Sequence, residues 1–144
     1  AVADGSVWVS SPSEGTVVRI DARSNRPVGK PIKVGAGPFG IEVVEGLVWV
    51  ANFDGGTVAR IDARTGRLRG KPITVGGQPI ALAAGGGAVW VVSASGTVTR
   101  IDPTSSRTVG EPIPVGERPQ DIAFGEGGVW VVNQFDNTLS RITP

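Results

Sequence analysis

Trp8, Trp49, Trp90 and Trp130 stand 41, 41 and 40 residues apart. The Arg-Ile pairs that begin at Arg19, Arg60, Arg100 and Arg141 recur at 41, 40 and 41. Pro-Ile-x-Val begins at Pro31, Pro72 and Pro112, again 41 and 40 apart. Three independent markers share one period, so the chain is built from one unit used again and again, and the unit decides the fold. The repeats run approximately over residues 1–37, 38–78, 79–118 and 119–144.

The unit from Pro38 onward reads as four strands. "FGIEVVEG" is an apolar run closed by Glu45-Gly46. "LVWVANF" is rich in β-branched and aromatic residues, and "TVARID" alternates along its length. "RGKPITVG" carries Pro72, and a residue without an N–H suits the edge of a sheet, so this fourth strand is expected outermost. Gly15, Gly56, Gly96 and Asn137 precede the Thr that opens the third strand, where a hairpin turn needs positive φ. Asp21, Asp62 and Asp102 close that strand, and their carboxylates are placed to accept N–H groups of the following turn. No window shows helical periodicity with caps. The fold class is therefore all-β. Four-stranded antiparallel blades of about 41 residues, repeated around an axis, make a β-propeller. Blades pack both faces on neighbours, which explains why "VWV" is apolar on both sides. The recurring Trp residues are core, and truncating one to Ala is expected to cost ~3–5 kcal/mol.

The pattern V-W-V-A-N…G-T-V-x-R-I-D…P-I-x-V-G-x-x-P resembles the YVTN-type bacterial propeller repeat, related to the NHL, streptogramin-lyase-like and WD40 propellers. The resemblance implies a ring of about seven blades closed by pairing strands from the two termini. It also implies an extracytoplasmic or cell-surface setting. Streptogramin B lyases resemble this group in fold and rely on a His with a metal-binding acid. This sequence has no His, so that activity is not expected here.

By alignment, Ala1 is equivalent to Glu42 and Ala83, inside an innermost strand. Pro144 is equivalent to Ala63 and Pro103, just past a third strand. The chain is thus expected to hold about four blades, the last without its outer strand. It lacks Met and is expected to be a processed chain or part of a longer one. A ring left open exposes apolar blade faces. The expected partners are a second copy completing the ring as a homodimer, or propeller segments outside this sequence. A closed ring of four blades is the third arrangement.

Composition narrows the chemistry. With no His and no Cys, Ser-His-Asp and Cys-His arrangements are excluded within the chain, as are disulfides and thiolate metal sites. Net charge is +1 without a basic block, so nucleic acid is not the expected partner. No run of about 18 apolar residues suggests membrane insertion. "GAGPFG" at residues 35–40 matches G-x-G-x-x-G, but a strand follows it where a dinucleotide site needs a helix, so it reads as a turn between blades. Arg19, Arg60, Arg100 and Arg141 recur in every repeat; one reading is a ring of cations for an anionic ligand, but recurrence in all repeats favours intra-blade ion pairs or stems packed between blades.

A specific site is expected where the repeat varies. The loops between strands two and three differ, as do the loops entering each inner strand, and in a propeller both emerge on one face around the channel mouth. Phe39, Phe53 and Phe135, with Gln78, Arg118, Gln120, Asp121, Asn52 and Asn133, are expected there as an exposed aromatic-polar patch suited to a protein or small-molecule ligand. The bland alternative is that the Phe rings fill space between blades. Asp54 and Asp136 match no known calcium loop. No catalytic residue, metal or cofactor is expected. The reading is a noncatalytic binding or scaffold module. The alternative is a propeller enzyme using carboxylate and Arg residues with a bound cation or cofactor.

Overall fold

The computed structural model describes residues 1–144 and contains strands and turns only. The first sheet holds β1 (Val2–Ala3), β2 (Ser6–Ser11), β3 (Thr16–Asp21), β4 (Arg26–Pro27) and β5 (Ile32–Lys33). The second holds β6 (Pro38–Val44), β7 (Leu47–Asn52), β8 (Thr57–Asp62) and β9 (Ile73–Thr74). The third holds β10 (Pro79–Gly85), β11 (Ala88–Ser93), β12 (Thr97–Asp102), β13 (Arg107–Thr108) and β14 (Ile113–Pro114). The fourth has only β15 (Pro119–Gly125), β16 (Gly128–Asn133) and β17 (Thr138–Ile142). Every pairing is antiparallel between sequence neighbours, apart from the outer segments β5 and β14, which return to β3 and β12. The all-β blade architecture expected from the repeat is present, with the fourth sheet lacking its outer strand.

The strand expected outermost is at the edge, as β9 in the second sheet, and in the first and third sheets a further short segment precedes it on the same edge. β4 pairs with the end of β3 through Ile20 and Asp21, whereas β5 pairs with its beginning through Thr16 and Val17. Between them the chain leaves the ladder after the Val28 N–H reaches the Arg19 carbonyl at 2.8 Å. The cause is local. Gly29, Gly70 and Gly110 take φ of 75°, 68° and 72°, and the proline two residues on has no N–H to offer. In the second sheet this preceding segment shrinks to a single bridge between Ile61 and Leu68.

The turns follow their residue types. Gly15, Gly56, Gly96 and Asn137 all have positive φ. The Asp62 carboxylate accepts the Thr65 N–H and hydroxyl, each at 2.8 Å, and Asp21 and Asp102 close their turns in the same way. These bonds hold all three carboxyls below the ordinary aspartate range. For Asp21 and Asp62 the leading cause is a backbone N–H, and for Asp102 it is the Ser105 hydroxyl.

Side chains alternate between two inter-sheet interfaces. On β7, Val48 and Val50 pack backward with Trp8, Val17, Ala59 and Ile61, while Trp49 and Ala51 pack forward with Val89, Val91 and Ile101. The third sheet repeats the division: Trp90, Val92 and Val98 meet Ile122, Val129 and Val131 of the fourth. Trp8, Trp49 and Trp90 therefore point forward, each onto the valine-rich backward face of the next sheet, whereas Trp130 on the last sheet is only half-buried. The core is three such interfaces rather than one centre. The inner strands approach closely: a Cβ added at Gly40 would lie 2.6 Å from the Ile80 carbonyl oxygen.

The recurring arginines are cross-strand partners of the tryptophans, as in Trp8 with Arg19 and Trp90 with Arg100. Each guanidinium lies 5.1–5.7 Å from its indole centroid. Their polar contacts are hydroxyl and carbonyl oxygens, such as Ser6 Oγ for Arg19 and the Glu126 carbonyl for Arg141, not carboxylates. The expected stem packing is found as cation–π stacking, and ion pairing is not its basis.

Candidate binding face

The loops entering the inner strands are bonded to the loops between strands two and three. Phe53 N–H donates to the Gly37 carbonyl at 2.7 Å, Ala94 to Gln78 at 2.8 Å, and Gln134 to Arg118 at 3.1 Å. The two variable loop sets thus form one face. The inner strands β6, β10 and β15 each begin with a register shift, between Pro38 and Ile41, Pro79 and Ala81, and Pro119 and Asp121. A bulge re-aims the side chain within it. Phe39 and Gln120 occupy these positions.

Two clusters result. On the second sheet, Phe39 is 55% exposed and its ring centroid lies 5.6 Å from the half-buried Phe53. On the fourth, the Arg118 guanidinium lies 4.6 Å from the Phe135 centroid, and Phe135 is 61% exposed. Arg118 holds φ of 49°, in the left-handed region that non-glycine residues seldom adopt. Beside it the Gln120 amide donates to Gln134 Oε1 at 2.9 Å. Gln78 is exposed on the third sheet between these clusters, and exposed Asp121 accepts the Ile122 N–H.

Asn52 and Asn133 do not belong to this surface. Both are buried. Asn52 Nδ2 reaches back to the Val34 carbonyl at 3.0 Å and ties the second sheet to the first. Asn133 Nδ2 donates to the hydroxyls of Thr138 and Ser140. An amide at the last position of strand two points backward with the valines, so it meets the preceding sheet instead of solvent. Gln134 was missed, although it stands in the variable "NQFDN" loop.

Asp54 and Asp136 sit on different sheets, and no group of three or more potential ligands converges. The Asp136 carboxylate is taken up by the Glu117 N–H at 3.0 Å and the Thr138 hydroxyl at 2.7 Å, which lower its pKa, the Glu117 bond most. On the innermost strand, burial raises the Glu42 carboxyl, partly offset by the N-terminal ammonium. The face presents rings, amides and a guanidinium, groups that recognise by contact and hydrogen bonding.

These features define a half-propeller-like β domain. No protein-family profile matches the sequence, and neither does any curated protein. Solved structures do match in fold. A catalytically inactive virginiamycin B lyase from Staphylococcus aureus, crystallised with quinupristin, is similar at TM-score 0.80 and 24% identity, over 97% of this chain and 49% of that one. The computationally designed Ika4 protein is similar at TM-score 0.80 and 16% identity, over 99% of this chain and 87% of that one. A chain of the mitotic checkpoint complex is similar at TM-score 0.81 and 14% identity, over 97% and 46%. This chain therefore spans about half of the lyase and checkpoint chains it matches.

Proposed function

We propose that the chain is a noncatalytic binding module that forms half of a propeller ring, that a second copy completes the ring, and that ligand is taken on the loop face around the channel mouth. The observation that carries this reading is the condition of the two end faces. Val9, on the backward face of the first sheet, is 45% exposed, while its internal equivalent Val50 is fully buried. Val132 and Leu139, on the forward face of the fourth, are 51% and 58% exposed, while their equivalents Val92 and Val98 are fully buried. Each end face matches a face that the interior buries against its complement. A second copy supplies both missing neighbours at once, in the head-to-tail sense that a closed ring requires. The near-complete overlap with a designed chain of similar length supports a four-repeat unit as a workable building block. A noncatalytic role fits a face of rings, amides and one guanidinium in a sequence without His, Cys or Tyr.

The test is native mass spectrometry with light scattering on the 14.8 kDa chain. Twice the chain mass, lost on replacing Val132 and Leu139 together with Asp, supports the reading. A single-chain mass at all concentrations refutes completion by a second copy and points to blades supplied by other segments.

A further inference from the structure

Arg60 is the one charged side chain that the fold buries, at 8% exposure. Its Nη1 donates to the Ser106 hydroxyl, its Nη2 to the Lys71 carbonyl at 3.1 Å, and its guanidinium carbon lies 5.7 Å from the Trp49 ring centroid. Its Nε has no partner. None of these contacts carries a negative charge. A buried cation without a counter-ion is costly, and native structures normally supply one.

The guanidinium opens onto a cleft of about 680 Å³ between the outer strands of the second and third sheets. Lys71, Arg107, Thr74, Ser106 and Thr108 line it with Arg60, and no carboxylate does. Three cations and three hydroxyls thus face one space. Burial first, and then the charge of Arg69, press the Arg60 guanidinium toward its neutral form, the opposite of what a nearby acid would do.

The lining also departs from the repeat. Ser106 and Thr108 stand where the other repeats have Asn25 and Pro27, or Gly66 and Leu68. Thr74 stands where they have Lys33 and Pro114, and Lys71 where the third has Glu111. The hydroxyls are therefore particular to this one junction. Both flanking sheets are internal, so the cleft is complete whatever adjoins the chain.

We propose that this cleft binds a phosphate-sized oxyanion, either free phosphate or the phosphoryl group of a small ester. Lys71 and Arg107 supply the exposed charges, Arg60 the buried one, and the hydroxyls donate to the remaining oxygens. This site lies at the outer rim and is separate from the loop face.

The test is thermal unfolding during titration with sodium phosphate, against sodium chloride at matched ionic strength. Phosphate is expected to raise Tm by mass action and chloride to leave it near its starting value. Lys71→Ala and Arg107→Ala, both at exposed positions, are each expected to weaken the apparent phosphate affinity about tenfold or more. Lys71→Glu places an internal counter-charge in the cleft. It is expected to raise Tm without phosphate and to abolish the phosphate response. A parallel titration with glycerol 3-phosphate separates the two sources: a larger response identifies the ester, an equal or smaller one the free ion. Equal responses to phosphate and chloride, or a phosphate response unchanged in all three variants, would overturn the site.

Discussion

Trp49 and Trp90 are a matched pair that differ in one bond. Both are fully buried, both point forward into the next sheet, and both lie under an arginine. The Trp90 Nε1–H donates to the Gly85 carbonyl at 3.1 Å, whereas the Trp49 Nε1–H has no partner. Trp→Phe at either site trims the ring and leaves a similar void. At Trp90 the change also removes a hydrogen bond worth about 1 kcal/mol. At Trp49 it removes a buried, unpaired donor whose desolvation costs about 1–3 kcal/mol. Trp49→Phe should therefore be the milder change by about 2 kcal/mol or more. For a chain of this size that separates the two variants by roughly 6–10 °C in Tm. Equilibrium urea unfolding of both variants beside the parent measures the difference directly, with equal m-values confirming a common unfolded reference. A Trp49→Phe variant no more stable than Trp90→Phe would refute the reasoning.

Three further outcomes are expected. The folded-state pKa values of Asp21, Asp62 and Asp102 lie below the ordinary 3.8, so their contribution is present above that pH and is lost as pH falls through the folded values; acid titration followed by circular dichroism should show that loss diminished in Asp62→Ala. Gly40→Ala should cost about 1–3 kcal/mol by urea unfolding, because the new Cβ meets backbone of the next inner strand at 2.6 and 2.8 Å. Phe39→Ala and Arg118→Ala, at exposed loop-face positions, should shift stability by no more than about 0.5–1 kcal/mol while weakening whatever the face binds, as read by paired denaturation and binding titrations.

The repeat made the blades legible because each marker answers a physical demand. Trp49 must fill an inter-sheet gap, Gly56 must turn with positive φ, and Asp62 must satisfy a turn's N–H groups. Where one residue type served two demands, the sequence was ambiguous. Asn52 reads as a loop amide beside Phe53, yet strand parity sends it backward to the Val34 carbonyl. Arg60 recurs as a cation, but its indole partner is set by cross-strand register, which links positions 11 apart. Pro72 alone marks the edge strand, whereas the extra segment before it is signalled only by Gly70 and Pro72 together. Of the loop face, the exposure of Phe39, Phe135 and Arg118 was legible because variable loops escape the demands of packing, whereas Phe53, expected exposed, is half-buried against Phe39. The pairing of Gln120 with Gln134 depends on a bulge that no local pattern announces.

The interrupted outer strand also governs how the perimeter meets other molecules. A foreign β-segment needs an uninterrupted row of free N–H and C=O groups to dock edgewise. The rims of the first and third sheets offer two residues, then a glycine-proline excursion, then two more, and the second offers a single bridge before its excursion. Strand-by-strand growth of the kind that seeds fibrils finds no template along those three edges. The exception is β17 of the fourth sheet, a continuous unpaired edge; along the other three sheets, apolar association is left to the broad faces, where shape and orientation select the partner.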